Sequence, residues 1–192
     1  DERTARELYL PAFEKVIKEA APWAVMAAYN KVNGIYCTEN KKLLTDLLKK
    51  EWEYDGVVVS DWGAVHNRAE AIAAGCDLTM PGETSDKMIR EAYECGNLTD
   101  EELDHAIERI MRLVDKAKVN RKENKRFDYE SGHKLAEKIA EESIILLKNE
   151  ENILPLKAED KIAYIGTFAK QPRYQGGGSS HISCKKVENA LE

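Results

Sequence analysis

The first twenty residues place Tyr9, Phe13, Val16, Ile17 and Ala20 at spacings of three and four, the apolar stripe of one buried helical face. Pro11 fits only a first turn or a kink, so the helix is expected to restart there. "WAVMAAYN" (23–30) is a short apolar run, followed by the turn-forming "KVNG". Helical spacing returns over 40–52, where Leu43, Leu44, Leu47, Leu48 and Trp52 share a face. "GVVVSD" (56–61) is β-branched and apolar without alternation, as in a parallel strand covered by helices on both sides. "EAIAAG" (70–75) reads as a short helix closed by glycine, and "CDLTMPG" (76–82) as a third short strand. Helix and strand alternate throughout, the order that builds parallel units of an α/β sheet or barrel.

The pattern then changes. In "LTDEELDHAIERIMRLVDKA", Thr99 and Glu102 are spaced as a capping box, and Leu103, Ala106, Ile107, Ile110, Met111 and Val114 form a helical stripe. Residues 118–128 are nearly all charged or polar and are expected to form a solvated crossing. A helix over 132–149 leads through "NILPL" to "KIAYIGTFA" (161–169), a buried-type strand, and then to the flexible loop "GGGSSHIS". Three strands cannot close a barrel of about eight, and one strand is not a domain. The pattern therefore predicts a piece that crosses a domain boundary.

With 192 residues, 43% of them hydrophobic, the chain can bury one sizeable core or parts of two. A net charge of −6 without a basic stripe argues against a nucleic-acid partner. Apolar runs fall short of the roughly 20 residues that cross a bilayer, so no membrane association is expected. "DERTARELY" opens the chain as a charged helical stretch rather than a secretory leader. Cys37, Cys76, Cys95 and Cys184 make neither a C-x-x-C pair nor zinc-finger spacing with the four histidines. Reduced thiols and a cytoplasmic location are the expectation.

Two strands end in chemistry at the same end: Tyr29–Asn30, and Ser60–Asp61–Trp62. In parallel α/β folds the carboxyl ends of strands line the active site. An isolated aspartate after a strand is more often a cap or turn former. Tyrosine, aspartate and tryptophan on one rim bring the two readings level. The functional one has a definite logic: an aspartate can attack an anomeric carbon, a tyrosine hydroxyl can support its ionised form, and indole suits the C–H faces of a sugar. His66 reads as a loop or helix-start residue, while His105 and His133 lie on helices without ligand partners. Gly176–Gly178 lacks the remainder of a phosphate-binding pattern.

"VMAAYNKVNG", "LLTDLLKKEWEYDGVVVSDWGAVH" and "AAGCDLTMPG" resemble the second half of the barrel of family 3 glycoside hydrolases, the β-glucosidase type. "DERTARELYLPAF", "AEESIILLKNEENILPL" and "YQGGGSSHIS" resemble the same family in the same order, so the likeness covers essentially the whole chain. It implies an α/β protein with the last units of a (β/α)8 barrel over 1–117, an interdomain linker and helix over 118–160, and the start of an α/β sandwich over 161–192. Position by position, Asp61 matches the catalytic nucleophile, Trp62 an aromatic wall at the sugar subsites, Tyr29 a contact to nucleophile and sugar, and Met26 the pocket lining. Met80 is a weaker match, since a methionine at a strand end is more often core.

The implied reaction is retaining hydrolysis of terminal non-reducing β-D-glucosyl residues by double displacement, without cofactor or metal. The substrate would be a β-glucoside or oligosaccharide. In the family the general acid/base and the lysine, histidine and arginine that grip the sugar lie outside the span of these 192 residues. The chain alone is therefore expected to be inactive, with open barrel edges that invite self-association. β-Xylosidase or broad aryl-β-glycosidase activity is the nearest alternative. A non-catalytic carbohydrate-binding scaffold is the alternative of another class.

Overall fold

The computed structural model describes residues 1–82, 85–123 and 126–192. Contacts divide the chain into two units, Asp1–Arg121 with Gly176–Ile182, and Lys122–Gln175 with Ser183–Glu192.

In the first unit, a helical turn α1 (Glu2–Thr4) runs into a π-helical stretch, Ala5–Tyr9. Helix α2 (Pro11–Ala20) then begins with the proline at its first turn, where the missing N–H costs nothing. Strand β1 (Ala24–Ala27) pairs in parallel with β4 (Val57–Ser60), in the register Ala24–Val57 through Ala27–Ser60. Between them lie a two-stranded hairpin, β2 (Lys31–Val32) with β3 (Ile35–Tyr36), and the π-helix Lys42–Glu51. The "KVNG" turn is thus the tip of a hairpin, with Asn33 and Gly34 both left-handed.

Helix α3 (Arg68–Ala74) follows β4, capped by the Asn67 side chain at one end and by Gly75 at φ 101° at the other. Residues 76–82, expected to be a full strand, make a single parallel bridge, Leu78 to Val59. Pro81 lacks an N–H and Gly82 lacks a side chain to pack, so pairing stops there. Helices α4 (Lys87–Glu94) and α5 (Asp100–Val119) complete the unit. The Thr99–Glu102 capping box forms on α5, with three acidic residues in its first turn and two lysines in its last, as the helix dipole favours.

The core gathers where the π-helix and α3 cover β4. Leu44, Leu47, Leu48 and Trp52 from the first pack with Val58, Ala71 and Cys76. Burial pushes the Cys76 thiol up to about 12, with the Asp77 charge adding to the effect. Lys49 and Asp77 form a buried ion pair at 2.7 Å, and Asp77 Oδ2 accepts the Val58 N–H at 2.7 Å. The α2 stripe departs from expectation. Ile17 is buried, but Tyr9, Phe13 and Val16 are more than half exposed. They face an apolar cleft of about 670 Å³ that extends along β1, the pairing edge of which opposite β4 is open among the described residues. Of the expected α5 stripe, Ala106 is buried while Ile107, Met111 and Val114 are exposed.

In the second unit, Asp128 caps α6 (Tyr129–Ser143) by accepting the Glu130 and Ser131 N–H groups. The expected helix over 132–149 stops at Ser143, where the β-branched Ile144 turns extended. The expected strand in 161–169 is absent. Residues 161–165 have no regular structure, Tyr164 and Ile165 are exposed, and a short 3-10 turn occupies Thr167–Ala169. A strand's N–H and C=O groups need a neighbouring strand, and the described residues of this unit offer none. Residues 124 and 125 of the charged run lie outside the described residues. No helix among the described residues is long and apolar enough to cross a membrane.

Candidate active site at the end of strand β4

Asp61 is the first residue past β4, and its N–H continues the ladder to the Ala27 carbonyl at 2.9 Å. Ser60 is buried beneath it. The Ser60 hydroxyl accepts the Met80 N–H at 2.8 Å and donates to the Met80 carbonyl at 3.3 Å, so the strand end is braced from one side. Met80 also accepts the Gly63 N–H at 2.7 Å. Its backbone, more than its partly exposed side chain, serves the site.

The Asp61 carboxylate turns back on its own loop, where Oδ1 accepts the Trp62 N–H at 2.6 Å. Tyr29, two residues beyond β1, donates its hydroxyl to the Trp62 carbonyl. Desolvation raises the Tyr29 hydroxyl above the usual tyrosine range, and the negative charge of Asp61 adds to this. The proton is thereby kept on the phenol, where it can be donated. The Trp62 ring stands 43% exposed at the rim, free to take a ligand face. The structure thus brings Asp61, Trp62 and Tyr29 together. Met26 lies one turn of the pleat lower, paired with Val59, and its exposed side chain borders the apolar cleft.

A further contact arrives from far along the chain. The Ser179 hydroxyl donates to Asp61 Oδ1 at 3.3 Å. Gly178 makes this approach with φ at 61°, and a Cβ there would stand 3.3 Å from the Tyr29 hydroxyl. A larger residue would be strained in this left-handed backbone and would need the Tyr29 hydroxyl to give by a few tenths of an ångström. The glycine run announces a flexible loop, but glycine carries no periodicity that says where the loop lands.

The arrangement supplies a rigidly mounted carboxylate, a protonated phenol and an exposed indole at the open end of a parallel strand pair. Chemically this suits nucleophilic attack on a ligand with apolar ring faces and many hydroxyls.

The model of the glycosyl hydrolase family 3 N-terminal domain matches residues 1–113, and that of the family's C-terminal domain matches residues 144–192. The chain is 51% identical over 194 residues to thermostable beta-glucosidase B of Acetivibrio thermocellus, covering 100% of this chain and 26% of that protein. It is 44% identical over 200 residues to an exo-alpha-(1->6)-L-arabinopyranosidase of Bifidobacterium longum, covering 99% of this chain and 26% of that one. Among solved structures, beta-glucosidase 3B from Thermotoga neapolitana in complex with alpha-D-glucose superposes with a TM-score of 0.73 at 38% identity, over 100% of this chain and 28% of its own. The chain spans about a quarter of the length of the curated relatives it matches.

Proposed function

Because this chain belongs to glycosyl hydrolase family 3, we propose that it is the segment of a β-glucosidase that carries the catalytic nucleophile. Residues 1–117 are read as the last units of a (β/α)8 barrel, 118–160 as the crossing, and 161–192 as the opening of an α/β sandwich. The observation that carries the reading is the Asp61 carboxylate at the carboxyl end of β4, with the Tyr29 hydroxyl and the Trp62 ring beside it.

In the proposed reaction, Asp61 attacks the anomeric carbon of a terminal β-D-glucosyl residue and forms a glycosyl-enzyme intermediate. The departing oxygen takes a proton from a general acid, and water then releases glucose with the configuration retained. We assign no acid among these residues. Trp62 packs against the sugar ring, Tyr29 holds the loop and the neighbouring hydroxyl pattern, and Met26 contributes apolar lining. No cofactor takes part.

A second reading, hydrolysis of α-L-arabinopyranosides, is favoured by the 44% identity to the bifidobacterial arabinopyranosidase. The same nucleophile would serve both.

A slow 2-deoxy-2-fluoro-glucoside tests the proposal on the protein expressed from the complete reading frame. The adduct is expected on Asp61 by peptide mapping, and Asp61→Asn is expected to lower turnover by several orders of magnitude. Label on a different carboxylate removes Asp61 from the role. Trapping by the arabinopyranosyl analogue alone moves the substrate to the second reading.

A further inference from the structure

The turn that follows the hairpin grips the loop that follows Asp61. Cys37–Glu39 forms one turn of 3-10 helix. It is tied to the end of β1 by the Cys37 N–H, which donates to the Asn30 carbonyl at 3.0 Å, beside Tyr29. Thr38 is fully buried and donates its hydroxyl to the Ala64 carbonyl at 3.2 Å. The Glu39 side chain is only 9% exposed, and its Oε1 accepts the N–H groups of both His66 and Asn67 at 2.9 Å. The His66 ring stacks on Tyr36 with centroids 3.7 Å apart and an interplanar angle of 12°, and its Nδ1 stands 4.0 Å from the same Glu39 oxygen. Asn67 goes on to cap α3.

These contacts divide the 61–67 loop into two parts. Asp61 is fixed by its own place in the strand ladder. Beyond it the near end of the loop is held by the Tyr29 hydroxyl at the Trp62 carbonyl and by the Met80 carbonyl at the Gly63 N–H, and the far end by Thr38 and Glu39. The position of the Trp62 ring therefore depends on both ends being anchored, and Glu39 closes the far one. A carboxylate that accepts two backbone N–H groups makes charge-assisted bonds, roughly twice as strong as neutral ones. Its burial keeps water from competing for the same donors.

We propose that Glu39 is a positioning residue for the sugar-binding face of Trp62, acting through the backbone of His66 and Asn67. The inference rests on the β-glycosidase reading of the site. Because the Asp61 main chain is held by the strand ladder, loosening the far end of the loop moves the platform more than it moves the nucleophile. Loss of Glu39 therefore shows in substrate affinity more than in turnover.

The test is a double-mutant cycle in the protein expressed from the complete reading frame, assayed with nitrophenyl β-glucoside. Glu39→Ala is expected to raise KM about tenfold while changing kcat by less than about threefold. In a Trp62→Ala background the same change is expected to have little further effect, because the platform it positions is already gone. Glu39→Gln keeps the volume and an acceptor oxygen, and is expected to recover most of the affinity. If Glu39→Ala fails to fold, Glu39→Gln carries the test, with a KM about threefold above wild type and an unchanged thermal midpoint. A fall in kcat at constant KM overturns the proposal. So does an equal loss with and without Trp62, or no kinetic change in any folded Glu39 variant. A wild-type protein without glycosidase activity fails the underlying reading instead, and is distinguished because it fails before any variant is compared.

Discussion

The Tyr29 hydroxyl and the Trp62 carbonyl share a hydrogen bond, which joins the end of one parallel strand to the first residue past the carboxylate on the next. Since desolvation and the charge of Asp61 both favour the protonated phenol, the bond persists through neutral pH. Tyr29→Phe removes it together with the hydroxyl's interaction with the Asp61 carboxylate. The expected outcome is a fall in kcat/KM of about ten- to a hundredfold with the circular dichroism spectrum unchanged. Full activity in Tyr29→Phe would show that the bond is idle.

Trp62→Ala separates binding from chemistry. The ring is exposed at the rim, so its loss is expected to raise KM about tenfold or more and to leave kcat nearly intact. Steady-state kinetics with an aryl glucoside reads both constants.

Asp77 supports the site from below. Its side chain is 2% exposed, pairs with Lys49 and holds the Val58 N–H of β4. Burial lowers the Lys49 ammonium pKa, and the Asp77 charge opposes that shift. Asp77→Ala leaves the buried Lys49 ammonium with the Gly75 carbonyl but without its counter-charge, and the buried Val58 N–H without its acceptor. A loss of about 3–5 kcal/mol is expected from the urea-induced change in Trp52 fluorescence. A variant as stable as the parent would show that water replaces the carboxylate at no cost.

Tyr54 gives a prediction in pH. Burial, with the Asp77 charge adding to it, raises its hydroxyl to about 12. The folded state therefore holds this proton more tightly than the unfolded chain, where a tyrosine titrates near 10. The stabilisation is complete below pH 10 and is lost progressively as pH rises through about 12. Absorbance at the tyrosinate band should show the same early-titrating phase in the parent and in Tyr54→Phe, with only the late phase lost when Tyr54 is removed. A smaller early phase in Tyr54→Phe would place its ionisation in the ordinary range.

The 192-residue chain alone is expected to self-associate. The open edge of β1 and the exposed Phe13 and Val16 beside it present backbone donors and apolar surface together. Sedimentation velocity should show species that grow with concentration, and a single 21.7 kDa monomer over the whole range would refute this.

The parts that could be read from the sequence are those whose cause is local. Val57–Val59, the leucines of 43–48, the Pro11 restart, the Gly75 stop and the Thr99–Glu102 box each follow from residues within a turn or two of one another. Asp61, Trp62 and Tyr29 meet because parallel pairing of two legible strands places their ends side by side. The strand expected at 161–169 fails for the complementary reason, since its apolar residues describe a need for neighbours that the described residues do not supply. Glu39 was missed because its role depends on distant partners. A glutamate among polar residues reads as solvated until the fold brings the His66 amide within reach.

The ladder bond from Asp61 to Ala27 makes residue 61 a mount whose position does not depend on what it carries. The main chain is held there by an amide that every residue except proline possesses. Serine or cysteine could be installed at that point with the strand end unmoved, and each would offer the incoming sugar a different nucleophile at the same place. The end of β4 is accordingly a place where the reaction can be rewritten without redesigning the protein around it.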